Sequence, residues 1–445
     1  MSGIVGLSVY IGLLAVLAVG VVVRPPSAFA AVSCIYGLKQ WGQSTNSWLA
    51  AHPPATNLAI GVLLLCALVT AAMRGRCVLC RIPTITWLIL ALLVYSLASL
   101  SWAPRGDIGR DIWLQAYPYL LTFIVLVPCV LQETEDFRVA LRWLIVVGGA
   151  LVFVLLVLGH WGNRGLSLGT TSMEEETNPL ALAGLGGSVA AASMLLRSRR
   201  TGILWWGIRL AVVAASLVLI VRSESRGQLL AVIVAMALML PFSIRIGSVR
   251  GVVIAAVGCV VVGIALQYGF SKMVAPDQTE RWSQTTSSAD AEVRVSMIAK
   301  LLGAWQEGGG GTMLLGLGNS ASWDPNINGI YPHNVPMEVL GEEGLVGFSL
   351  YVAIFITTLL ALLQALKASA GEQENRSIVA AVGGGFLFFA LISFKQGNMV
   401  GSVEFFMYAT LIARLARALT EKQAMQLQPA ATQRTLLALY PNMMR

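Results

Sequence analysis

Charge is what this sequence has least of. Its 445 residues carry 30 lysines and arginines, 22 aspartates and glutamates, and only three histidines. At 12% charged and 56% hydrophobic, it falls far below the roughly one quarter charged residues of an ordinary soluble domain. That shortage excludes a large water-soluble enzyme domain. Repeated apolar runs, each near the ~20 residues that cross a bilayer and parted by short polar links, predict an all-α polytopic membrane protein. Cysteine is also scarce, at six. Cys77 and Cys80 form a CxxC with no histidine or second pair nearby, so the four ligands of a structural zinc are missing. The formal charge of +8 is scattered among loops and gathers into no patch, which excludes a nucleic-acid surface and fits cytoplasmic anchoring of spans.

What is present is about twelve candidate spans, at 4–23, 57–73, 84–102, 113–131, 139–159, 179–196, 203–221, 227–244, 252–268, 336–366, 377–394 and 403–418. The first has no basic residue before its apolar run, so it reads as a retained helix and not a cleaved signal peptide. Segment 27–48 has an apolar half too short to span by itself, and both an interfacial and a spanning course stay open for it. Both termini are expected in the cytoplasm, with "RGRCVLCR", "RSRR", "RIGSVR" and the tail on the same side. That orientation leaves 269–335 as one large periplasmic loop between residues 1–268 (spans one to nine) and 336–445 (the last three spans and a cytoplasmic tail). Within the loop, Val295, Ile298, Leu302 and Trp305 mark one face of an amphipathic helix lying on the membrane surface, ended by the four glycines at 308–311.

The residues able to do chemistry lie on that outer side. "YPHNVPMEVLGEEGLVG" places His333 and Asn334 before Pro336, a residue suited to the first turn of a helix. An imidazole at a helix N-terminus is disfavoured as a cation by the helix dipole, so His333 should be neutral and able to accept a proton. The alternative is a histidine that only caps the helix. Arg222 and Arg226 share the short turn "VRSESRGQ", Arg294 opens the amphipathic helix, and Arg281 lies upstream in "TERWSQ". Outer arginines run against the topological bias, and their planar forks match phosphate oxygens; pairing with Glu224, Glu280 or Glu292 is the alternative. Glu174, Glu175 and Glu176 read as a solvated loop more readily than as a metal site. Glu342 and Glu343 lie about ten residues on from His333, roughly 15 Å along a helix, too far to assist it, and are expected to face a polar cavity.

These residues resemble a known pattern. "HNVPMEVLGEEG", His333 to Gly344, is similar to the His-Asn…Gly motif of bacterial O-antigen ligases, and Gly347 extends it. Ser225-Arg226-Gly227 matches an arginine turn of that family. Arg294, Trp305 and "LLGLGNS" match its loop arginine, tryptophan and GxG stretch in order. The resemblance covers about 221–347; the first half matches only as spans. It implies a GT-C-like glycosyltransferase of the inner membrane with its site on the periplasmic face. Such an enzyme moves a glycan from undecaprenyl diphosphate to lipid A–core, with inversion and without a metal or cofactor. It implies His333 as the catalytic base, with Arg226, Arg294 and Asn334 as substrate-binding groups; Arg222 and Arg281, on the same outer side, are secondary candidates for that binding role. O-antigen polymerases and protein O-oligosaccharyltransferases share the motif. A lipid-phosphate transporter or flippase is the reading from another class, and the internal pseudo-repeats such folds show are not evident.

Overall fold

The computed structural model describes residues 3–76, 82–162, 165–167, 177–197, 203–244 and 284–439, without side chains at 284–290 and 426–439. Every described helix belongs to one packed bundle, and the chain is a membrane-embedded, all-α protein. Among the described residues, eight helices are long and apolar enough to cross a membrane. In chain order the helices are α1 (Gly3–Val23), α2 (Ala28–Ser33), α3 (Ile35–Thr45), α4 (Ser47–Ala51), α5 (Pro54–Met73), α6 (Thr84–Ser99), α7 (Gly106–Val130) and α8 (Thr134–Leu158). There follow α9 (Pro179–Leu195), α10 (Ile203–Arg222), α11 (Arg226–Ser243), α12 (Gln284–Glu307), α13 (Gly309–Leu315), α14 (Val335–Ala368), α15 (Gln373–Ser393) and α16 (Val403–Leu439). The expected span at 252–268 lies outside the described residues.

Segment 25–51 runs through the bundle from one end to the other. Arg74, at the end of α5, donates to the carbonyls of Val22 and Val23, so α1 and α5 finish at the same end of the bundle. The chain must therefore return across the bundle between them, and residues 25–51 make that crossing. Trp41 Nε1 donates to the Gly6 carbonyl at 3.2 Å, and Thr45 packs on Gly6, so α3 runs antiparallel to α1. Broken, partly polar helices are tolerated at membrane depth when protein surrounds them. Phe29, Leu38 and Trp41 are buried here. Gly3 therefore lies at the end of the bundle opposite to the one α16 runs toward.

One end carries ion pairs: Arg76–Asp136 at 2.6 Å, Arg138–Glu374 at 3.0 Å and Lys422–Glu372 at 3.0 Å. The other end is organised by a clamp. α14 is two helices joined at Gly344, whose φ of +64° and ψ of −166° suit glycine alone. Gly316, at φ +85°, lies directly against this kink, where a Cβ on either residue would overlap the other strand's backbone. Leu317 N donates to Gly341 O at 3.0 Å and Gly318 N to Glu342 O at 2.8 Å. The Glu342 carboxyl then accepts from Ser320 N (2.7 Å), Ser322 N (3.0 Å) and Ser322 Oγ (2.5 Å), while Glu343 Oε1 accepts from Asn319 Nδ2 at 3.2 Å. Asn319 N is held in turn by Ser99 Oγ at 2.9 Å. The two buried glutamates thus face the 316–322 turn, not an open cavity, and fasten the loop that leads to His333.

α12 is longer than the predicted amphipathic helix and is turned differently. Leu301 and Trp305 are buried, with Leu301 seated on Gly341, whereas Val295 is 66% exposed. The four glycines do not simply end a helix: Gly309, at φ +80°, turns the chain into α13.

Candidate functional site

His333 sits in the last turn before α14, half-buried, with the left-handed φ of +57° that a non-glycine residue adopts only under constraint. Its constraint is the next residue. Asn334 caps α14, its Oδ1 accepting from Met337 N at 3.1 Å, while its Nδ2 donates to the Phe394 carbonyl beyond α15 at 2.8 Å. Pro336 falls in the first turn, as its missing N–H predicts. Both ends of the Asn334 amide are engaged by backbone, so this side chain positions its neighbour.

The His333 ring lies 4.3 Å from the Tyr331 ring, centroid to centroid. Burial holds its pKa below the ordinary imidazole value, and the positive field of Arg294 lowers it further. Both effects favour the neutral imidazole, by causes other than the helix dipole. Asn328 Nδ2 donates to the Met297 carbonyl at 3.0 Å, which ties α12, three residues on from Arg294, to the loop that leads to His333.

Arg226 opens α11 after the turn at Ser223–Ser225, in which Glu224 takes a left-handed φ of +51°. The next residue, Gly227, leaves room for the Lys395 side chain, and a Cβ there would collide with it. Lys395 follows Phe394, the residue that Asn334 holds. The Arg226 turn, Lys395 and the His333 loop are therefore joined at one end of the bundle. Arg222 turns elsewhere, its guanidinium 5.5 Å from the Trp161 ring centre. Arg281 and the three glutamates at 174–176 lie outside the described residues, as do Cys77 and Cys80. Among the described residues, no group of three His, Cys, Asp or Glu side chains is placed to hold a metal ion.

A polar cavity of about 520 Å³ opens beside this locus. Its wall includes Tyr331, two residues from His333, and Gln228, two residues from Arg226; Lys39, Gln40, Gln396 and Glu404 also line it. Sequence reasoning singled out none of these. A signal existed in the returning segment, where Ser33, Tyr36, Gln40 and Gln43 recur at the three- and four-residue spacing of one helical face. For Lys395 it was a basic residue directly after an apolar run at the site end.

The fold and site define a polytopic helical membrane protein with a cationic, histidine-bearing locus at one end of its bundle. No protein-family model matches the chain, and no curated protein matches it.

Proposed function

We propose that the chain is a glycosyltransferase of the O-antigen ligase type, acting at the periplasmic face of the bacterial inner membrane. Its donor is an undecaprenyl-diphosphate-linked glycan and its acceptor a sugar hydroxyl of lipid A–core. The observation that carries this reading is the meeting of a neutral imidazole with fixed cations. The positive field of Arg294 adds to burial in lowering the His333 pKa, and Lys395, packed on Gly227 beside Arg226, follows Phe394, which Asn334 holds.

The chemistry follows from those groups. The acceptor oxygen attacks the anomeric carbon of the donor as the bond from that carbon to the diphosphate oxygen breaks. The electron pair leaves on the diphosphate, and the acceptor's proton passes to His333. In-line attack inverts the anomeric centre. A neutral base within hydrogen-bond reach of the hydroxyl accelerates such a step by roughly 10²–10⁴-fold. Fixed guanidinium and ammonium groups stabilise the charge growing on the leaving phosphates. The excess of lysine and arginine in the opposite loops supports a periplasmic site.

The test is kinetic. In proteoliposomes supplied with both lipids, His333→Ala should cut transfer by about 10²-fold or more with donor binding kept. Arg294→Lys should restore little of what Arg294→Ala loses. Near-normal turnover by His333→Ala removes the base from the mechanism.

A further inference from the structure

The cavity beside His333 contains an unmet demand for hydrogen-bond donors. Gln40 is 6% exposed and Gln228 2%. Each commits its amide nitrogen to a carbonyl at the start of α9, Gln40 Nε2 to Asn178 O and Gln228 Nε2 to Leu180 O, both at 2.9 Å. Those bonds fix the orientation of both amides, because a carbonyl acceptor can face only the NH₂ group. The two Oε1 atoms are therefore the free ends, and each is buried with no hydrogen-bond partner among the described residues. Buried acceptors rarely stay unpaired in native proteins. The side chains that carry them line one cavity from different helices, and a small shift of either toward an occupant that brings donors would satisfy it.

The third acceptor is Glu404, whose side chain also lines the cavity and has no side-chain donor among the described residues. A metal ion would satisfy three oxygens, but Lys39 lines the same space and would repel one. Part of the remaining wall is aromatic, set among serine, glycine and aliphatic residues: Tyr36, which stacks on Tyr119 behind it at 5.6 Å, and Phe389 and Tyr408, which stack on each other at 5.6 Å. A ring that carries several hydroxyl donors at its edge and apolar C–H groups on its faces matches this lining. The volume lies within the ~300–1,000 Å³ of small-molecule sites.

We infer that this cavity is a sugar-binding subsite, in which Gln40, Gln228 and Glu404 accept hydrogen bonds from hydroxyls of a glycan whose reacting end lies toward His333. The inference deepens the glycosyl-transfer reading and rests on it for the choice of sugars to test. Those sugars have two sources, the acceptor and the donor.

The experiment uses the full chain in nanodiscs, titrated separately with two lipid-free probes. One is the core oligosaccharide of de-acylated lipopolysaccharide, and the other is the glycan released from the undecaprenyl carrier. Binding is read by saturation-transfer NMR and by calorimetry. Gln40→Met and Gln228→Met keep the side-chain volume and remove the acceptor; Glu404→Met removes the third. Each substitution should weaken the bound sugar about tenfold, equivalent to about 1.4 kcal/mol. The probe that is weakened identifies the source. If Gln40→Met fails to fold, Gln228→Met and Glu404→Met still decide, with thermal unfolding as the check on each. Failure of both probes to bind the unsubstituted protein, or equal binding by all variants, overturns the subsite. Sugar binding that the variants lose, in a protein that transfers no glycan from the carrier, keeps the subsite and removes the glycosyl-transfer reading.

Discussion

Replacing Glu342 by alanine should release the turn that leads to the His333 loop while leaving the bundle folded. Its carboxyl accepts three hydrogen bonds, from Ser320 N, Ser322 N and Ser322 Oγ, in a buried setting. At about 1 kcal/mol each, with two backbone N–H groups left without a partner, the loss is about 3 kcal/mol. That is about a hundredfold in a local opening equilibrium. The opening should be confined to 316–334, which stays tied to its neighbours by the backbone pairs at Gly341 and Glu342, by Asn319 to Glu343 and Ser99, and by Asn328 to Met297. Hydrogen–deuterium exchange of the protein in nanodiscs, read by mass spectrometry, measures it. Peptides from 316–334 should lose about a hundredfold in protection, and peptides from α15 should lose none. Glu342→Gln, which keeps one acceptor oxygen, should fall between. Transfer should drop in the same order, since His333 hangs from this loop. Unchanged exchange across 316–334 in Glu342→Ala would refute the clamp.

Two further outcomes follow. His333 must be neutral to accept a proton, so the rate should fall as pH drops through its pKa, which burial and Arg294 place below the ordinary 6.5. Arg294→Gln removes the cationic share of that shift and should move the acid limb of kcat/KM to higher pH; a limb that stays in place would detach Arg294 from His333. The returning segment makes a topological claim. In a cysteine-free background, a cysteine at Ser101 and a tag before Gly3 should both react with impermeant reagents from the periplasmic side. A cysteine at Gly371 and a tag at the C-terminus should not react. Labelling of both termini from one side would contradict the crossing at 25–51.

The apolar spans were legible because lipid-facing helices must be apolar all along, and α5, α8, α10 and α15 stand near where their runs predicted. The segment at 25–51 was illegible for the converse reason. Protein surrounds it, so it needs no lipid-facing stripe, and it mixes Phe29 and Trp41 with Ser33 and Gln40. Glu342 and Glu343 advertised a buried polar contact, but their partners at 319–322 are some twenty residues away through two glycine turns that no local pattern encodes. His333 and Pro336 were legible through helix-start chemistry, whereas the field of Arg294 depends on how α12 docks on Gly341. Lys395 could be tied to Arg226 only once Gly227 was seen to leave it room.

The most direct test of the central claim offers the purified protein its proposed donor under two conditions. One tube holds undecaprenyl-diphosphate glycan with lipid A–core, and the other holds the donor with no added acceptor. The account predicts glycosylated lipid A–core in the first tube, free undecaprenyl diphosphate in matching amount, and no lengthened carrier-linked glycan in the second. Lengthened carrier-linked glycan without acceptor would make the protein a polymerase. Donor lipid recovered intact from both tubes would contradict glycosyl transfer and leave the outer cations as a site that binds lipid phosphate without chemistry.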